Sequence, residues 1–85
     1  MRNWDPIVCW LTPAELEKCT REVVGNGGHQ RLLRKILSRL DPLTGRLEIL
    51  VSHLHRAAIY ARAYGLGGYQ QRFQAIVAAA ARAGA

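Results

Sequence analysis

Two sets of residues have the types and spacing to do chemistry: a glycine loop that occurs twice and a line of cations that occurs once. Gly25-Asn26-Gly27-Gly28-His29-Gln30 returns forty positions later as Gly65-Leu66-Gly67-Gly68-Tyr69-Gln70. Amides bared by Gly27 and Gly28, or by Gly67 and Gly68, at the start of a helix would suit an anion such as a nucleotide phosphate. The first amides of a helix lack intrahelical acceptors, and the dipole there is positive. Neither copy has the Lys-Ser/Thr ending of a P-loop or the strand context of a dinucleotide fingerprint, so a paired nucleotide-signal site ranks third among the functional readings. A structural reading ranks above it. Gly25 and Gly65 would end one helix and Gly27 and Gly67 begin the next, with Gln30 and Gln70 reaching back as caps.

The cations are Arg31, Arg34, Lys35 and Arg39. At about 100° per residue they fall opposite His29, Leu33, Ile36, Leu37 and Leu40, which gives a strongly amphipathic helix. Such a stripe could neutralise several phosphates and bind nucleic acid in a salt-sensitive way. It has no interleaved aromatics or amides to read bases, so sequence specificity is not expected. In the second copy the same positions are Gln71, Gln74, Ala75 and Ala79. That nearly neutral face suits close contact with another protein, with Trp4 and Trp10 as aromatic anchors if exposed.

Other reactive types are sparse. His53 and His55 are two apart and so face different ways on a helix, and Cys9, Cys19 and His29 lack the short ligand spacings of zinc sites. No spacing suggests a nucleophile–base set, and Glu15 and Asp41 have capping and turn roles. The expectation is a protein that is not an enzyme and that carries no metal and no cofactor.

The elements that position these residues follow from the repeat. Thr12-Pro13-Ala14-Glu15 is a capping box, starting a helix that Leu16, Cys19, Val23 and Val24 extend over about 13 to 24. The cationic helix follows the first glycine loop and stops at Asp41-Pro42-Leu43-Thr44-Gly45. Leu47-Glu48-Ile49-Leu50-Val51 reads either as a brief strand or as a first helical turn, with Ser52 as the cap matching Thr12. Leu54, Ala57, Ala58, Ala61 and Tyr64 line a third helix, and Tyr69, Phe73, Ile76, Val77 and Ala80 a fourth. The predicted fold is all-α: two tandem helix–loop–helix hairpins, repeat 1 at about 5–40 and repeat 2 at about 41–83, packed as a pseudo-twofold four-helix bundle in one domain spanning 1–85.

With 85 residues, 49% of them hydrophobic, the chain is a small ordered domain for which dimerisation would add useful burial. The formal charge is +6, with only Glu48 offsetting five arginines after position 45, so an acidic surface or a phosphate backbone is the expected kind of partner. No secretory leader or membrane-length apolar run is evident, and the two cysteines read as reduced thiols, which together predict a cytoplasmic protein without a membrane partner.

Leu40-Asp41-Pro42-Leu43-Thr44-Gly45 together with Tyr64-Gly65-Leu66-Gly67-Gly68-Tyr69-Gln70 resembles small proteins encoded by bacteriophages and mobile elements. The resemblance implies a compact accessory protein of the bacterial host cytoplasm that inhibits or adapts a host machine, anti-CRISPR proteins being one such class. The basic charge departs from the acidic DNA mimicry common among such inhibitors. The leading expectation is an inhibitor or adaptor docking on a host protein complex, with the nucleic-acid-binding component of that complex as one candidate target. The alternative is a basic protein that binds nucleic acid without sequence preference.

Overall fold

The computed structural model describes residues 6–63, 65 and 67–85, and its element order is not all-α. Strand β1 (Pro6–Trp10) leads into helices α1 (Pro13–Cys19) and α2 (Gly28–Leu37). Strand β2 (Arg46–Leu50) then leads into α3 (Val51–Arg62) and α4 (Tyr69–Arg82). The two strands form an antiparallel sheet. The four-helix bundle is therefore replaced by a mixed α/β fold, and the ambiguous segment 46–51 is a strand through Leu50 with Val51 opening α3. Tyr64, expected to end the apolar face of the third helix, lies outside the described residues.

The strands lie forty residues apart, as the glycine loops do, so the repeated unit is strand–helix–helix. Their register places Val8 opposite Glu48, its own counterpart in the second copy, and pairs Ile7 with Ile49 and Cys9 with Leu47. Copies of one strand paired this way are related by a local twofold through Val8 and Glu48. Side chains alternate across a strand. Cys9, Leu47 and Ile49 consequently point into the core, while Pro6 and Trp10 remain exposed.

The capping box forms as read from the sequence. The Thr12 amide donates to the Glu15 carboxylate at 2.8 Å, and the Glu15 amide donates to the Thr12 hydroxyl at 3.2 Å. The helix it starts ends at Cys19, however, not near Val24. Thr20 turns its hydroxyl back onto the Leu16 carbonyl at 2.8 Å, a local bond that competes with helix propagation. The carbonyls beyond it are taken up by side chains from the other helices. Arg72 donates to the Arg21 and Glu22 carbonyls at 2.9 and 3.1 Å, and Arg34 to that of Val23 at 3.0 Å. The Tyr69 hydroxyl accepts from the Val24 amide at 2.8 Å and donates to its carbonyl at 3.1 Å. Val23 and Val24 thus lie on a clamped loop, and Gly25, with φ +97°, turns that loop rather than closing a helix.

α2 stops at Leu37 because Leu40 has joined the sheet. Leu40 bridges Leu47, with the Glu48 amide donating to the Arg39 carbonyl at 3.3 Å and the Asp41 amide to that of Arg46 at 2.8 Å. Ser52 is not a cap. Leu50, in extended conformation, directly precedes α3, so strand and helix join without a loop.

The core gathers Leu32, Leu33 and Ile36 from α2, Ala57 and Ala61 from α3, Phe73 and Ile76 from α4, and the inward face of the sheet. α4 packs on α1, α2, α3 and β1, so it is covered on more sides than a bundle helix would be. For this reason Ala75 (7% exposed) and Ala79 (1%) are core residues and not part of an outward face. Their small side chains do permit close approach, but to elements of the same chain.

Candidate polyanion-binding face

The cationic stripe is exposed at Arg31, Arg34 and Lys35 on α2 and at Arg39, which lies two residues past the end of that helix and not on it, while Leu32, Leu33 and Ile36 between them are buried. Arg34 does not share the role of the others. Besides the Val23 carbonyl it donates to Asn26 Oδ1 at 3.2 Å, so its guanidinium braces the first glycine loop. Its counterpart Gln74 also acts on a backbone carbonyl, donating through Nε2 to that of Ala61 at 3.1 Å, and Gln70 donates to the same oxygen at 3.1 Å. Gln70 therefore terminates α3 instead of capping α4. Gln30 caps nothing, since its Oε1 is buried without a partner among the described residues.

α3 supplies what the stripe lacked in the sequence. Arg56 is exposed and His53 is half-buried. Burial, then Arg56, Lys35 and Arg39 in that order, hold the His53 imidazole below the ordinary histidine value. α3 packs on α2, so Lys35 and Arg39 from the α2 side and His53 and Arg56 from α3 lie on neighbouring elements, within electrostatic reach of His53. Periodicity within α2 could not reveal Arg56 and His53. The only hint in the sequence was the excess of arginine over acid after position 45.

Among the described residues no carboxylate pairs with this cluster. Glu15 is bound by Arg82, Glu17 pairs with Arg21 at 3.6 Å, and Glu48 pairs with Arg46 at 2.9 Å. Asp41 folds onto its own turn, accepting from the Leu43 amide at 2.9 Å. Glu22 lies on the loop after α1, where Arg72 holds its carbonyl. The α2–α3 face is left with an unbalanced positive field that would attract phosphates.

The two glycine loops are not equivalent. A Cβ on Gly27 would come within 2.5 Å of Gln30 Oε1, and one on Gly28 within 3.1 Å of the Tyr60 hydroxyl, so the first loop is packed by its own neighbours. Gly67 and Gly68 face open space. His29 and Tyr69 meet edge to face at 5.3 Å, with Tyr60 at 5.9 Å from His29, and form an aromatic neck where the repeats join.

Of the residues read as a protein interface, Trp10 is 55% exposed, Gln71 is exposed, Gln74 is bound to Ala61, and Ala75 and Ala79 are buried; Trp4 lies outside the described residues. Among the described residues the most exposed large apolar side chain is Leu43 (93%), in the Asp41–Gly45 turn that leads into the Trp10–Arg46 end of the sheet. A shallow apolar depression of about 480 Å³ at the opposite end of the sheet is lined by Pro6, Ile7, Val51, Leu54 and His55 together with the last three residues.

Burial pushes the Cys19 thiol up to about 11 and also raises that of Cys9, so both free cysteines are protonated core residues. Among the described residues no three His, Cys, Asp or Glu side chains gather as a metal site, and no helix is long and apolar enough to cross a membrane. No protein-family model, curated protein or solved structure matches the chain.

Proposed function

We propose that this protein is a non-catalytic binding module whose α2–α3 face holds the phosphate backbone of nucleic acid without reading its sequence. The observation that carries this reading is the exposure of Lys35 on α2, of Arg39 just beyond its end and of Arg56 on α3, which packs on α2, with no described carboxylate paired to any of them. Arg31, one helical turn before Lys35, extends the face. Binding of this kind draws on counterion release, so log K falls linearly with log salt by about 0.9 per phosphate neutralised. Titration of a labelled DNA duplex at increasing salt tests it. Each of Lys35→Ala, Arg39→Ala and Arg56→Ala is expected to weaken binding and to lower the slope by about one. No binding at low salt, or a slope unchanged in all three variants, would overturn the reading.

A second reading, an adaptor or inhibitor docking on a larger protein complex, is favoured by Leu43 and Trp10, which place two exposed apolar side chains at one end of the sheet. It expects a stoichiometric protein partner that is lost with Leu43→Ser and kept with Lys35→Ala. Loss in Lys35→Ala alone would point back to the basic face.

A further inference from the structure

We propose that the outer edge of β1 is a self-association site, at which a second copy of this chain adds its own β1 antiparallel across a twofold axis through Val8. The inference does not rest on nucleic-acid binding by the α2–α3 face.

The direction of the backbone groups in β1 follows from its bonds. The Leu11 amide donates to the Gly45 carbonyl, one step beyond the Trp10–Arg46 pair in the register. In an antiparallel ladder, residues that exchange such bonds alternate with residues whose N–H and C=O point away from the partner. Cys9 and Ile7 therefore face β2, and Pro6, Val8 and Trp10 turn their backbone groups to the outer edge. β2 has the matching phase, since Arg46 and Glu48, opposite Trp10 and Val8, bond the segment around Leu40. The outer edge of β2 is thus partly closed and carries charge. That of β1 is uncharged from Pro6 to Trp10, without the charged side chains that commonly protect edge strands from pairing.

The groups on this edge complement a copy of themselves. Among the described residues nothing bonds the Val8 amide or carbonyl, the Trp10 amide or the Pro6 carbonyl. The Trp10 carbonyl accepts from Arg82 at 3.2 Å, and Pro6 has no N–H to donate. A twofold through Val8 sets Val8 against Val8 of the second copy, where the two exchange both bonds. It sets Pro6 against Trp10 of the second copy, where the Trp10 amide meets the Pro6 carbonyl. The bond left out of that pair would need a Pro6 donor and a Trp10 acceptor, the one absent and the other already taken. Sliding the register two residues either way aims the Val8 amide at the occupied Trp10 carbonyl, or leaves the Val8 carbonyl against the proline nitrogen.

The side chains fit the same arrangement. Alternation puts Pro6, Val8 and Trp10 on one face, with Pro6 exposed, Val8 half-buried and Trp10 55% exposed. The twofold brings Trp10 of the second copy to Pro6, at the rim of the apolar depression that Pro6 and Val8 help to line. Arg82, the cation at this edge, is already neutralised by Glu15, so the copies meet without desolvating an unpaired charge. Two two-stranded sheets thereby become one with both β1 strands at its centre, and a lone two-stranded sheet is the marginal case.

The experiment is sedimentation equilibrium at about 0.15 M salt, which screens the like net charges of the copies. Between about 10 μM and about 1 mM, the range expected of a small interface, the mass should rise from that of one 9.5 kDa chain toward that of two. Val8→Lys places like charges opposite each other at the twofold, whereas within its own sheet the new cation faces Glu48. It should weaken the dimer about tenfold or more while the fold is kept. Ile59→Ser, which removes an exposed apolar side chain from α3, should leave association unchanged. Should Val8→Lys prove poorly folded by circular dichroism, hydrogen exchange of the parent decides the matter, because the Val8 and Trp10 amides must exchange more slowly as concentration rises. A parent that keeps the mass of one chain throughout, a dimer unaffected in folded Val8→Lys or lost in Ile59→Ser, or exchange at Val8 and Trp10 independent of concentration overturns the inference.

Discussion

Tyr69 and Arg72 show how one copy of the repeat is used to complete the other. The loop after α1 leaves a run of backbone groups that a longer helix would have paired internally, and unpaired groups of this kind are costly when water is partly excluded. Arg72 and Tyr69 satisfy them from across the molecule, and the Arg72 guanidinium lies 4.7 Å over the Tyr69 ring, which fixes both side chains. Tyr69→Phe preserves the ring contacts with His29 and Arg72 and deletes only the hydroxyl. It is expected to lower stability by about 1 kcal/mol in urea unfolding, the net size of an ordinary hydrogen bond, with an unchanged m-value. A loss below the error of the measurement would mean that water replaces the hydroxyl at Val24. Arg34 belongs to the same set of braces, and substituting it should cost stability more than charge-dependent binding. This separates it from Lys35 and Arg39, which its position in the stripe did not.

At the scale of elements, the turn between the two copies holds the sheet in register. Gly45 adopts φ +77°, and a Cβ there would lie 2.7 Å from the Leu11 carbonyl oxygen, which is backbone and cannot swing away. The same glycine accepts from the Leu11 amide at 2.9 Å, continuing the strand pairing past Trp10. Gly65 has a similar φ of +82°, but a Cβ there would meet nothing within 4 Å, so the pair separates backbone preference from crowding. Gly65→Ala should cost about 1–2 kcal/mol, the left-handed penalty alone. Gly45→Ala should cost more, because β1 and β2 must also shift apart, and equal losses in thermal or urea unfolding would show that the Leu11 contact relaxes freely. The helices were largely legible in the sequence because each carries its own periodic apolar face and, for α1, its own cap. β1 was not. Ile7 and Cys9 supply only two inward positions, too few to establish a period of two, and the strand exists through a partner forty residues away. The end of α1 was missed for a related reason, since the groups that stabilise the open loop sit on α4. On the basic face, the α2 half could be read from helical spacing, whereas Arg56 and His53 joined it only through the packing of α3 on α2.

For the whole molecule, the duplication does not yield two independent halves. Each copy contributes one strand to the sheet, the first loop is clamped by α4 of the second copy, and Glu15 of the first capping box is bound by Arg82 at the far end of the chain. The Arg82 hydrogen bond is the main cause that holds the Glu15 carboxyl below its usual range. The core is likewise shared, with Cys9, Leu32 and Leu33 from one copy meeting Leu47, Phe73 and Ile76 from the other. An isolated two-stranded hairpin is already marginal in water, and a single strand with two short helices has still less to bury. Neither residues 1–45 nor residues 46–85 are therefore expected to give a cooperative thermal transition by circular dichroism when prepared alone. An equimolar mixture should recover helical signal and a transition that sharpens with concentration, because the sheet and the clamp can form only between the halves. A cooperative, concentration-independent melt of either half would instead make the repeat an autonomous folding unit, with the Tyr69 and Arg72 contacts a later addition to a domain that did not need them.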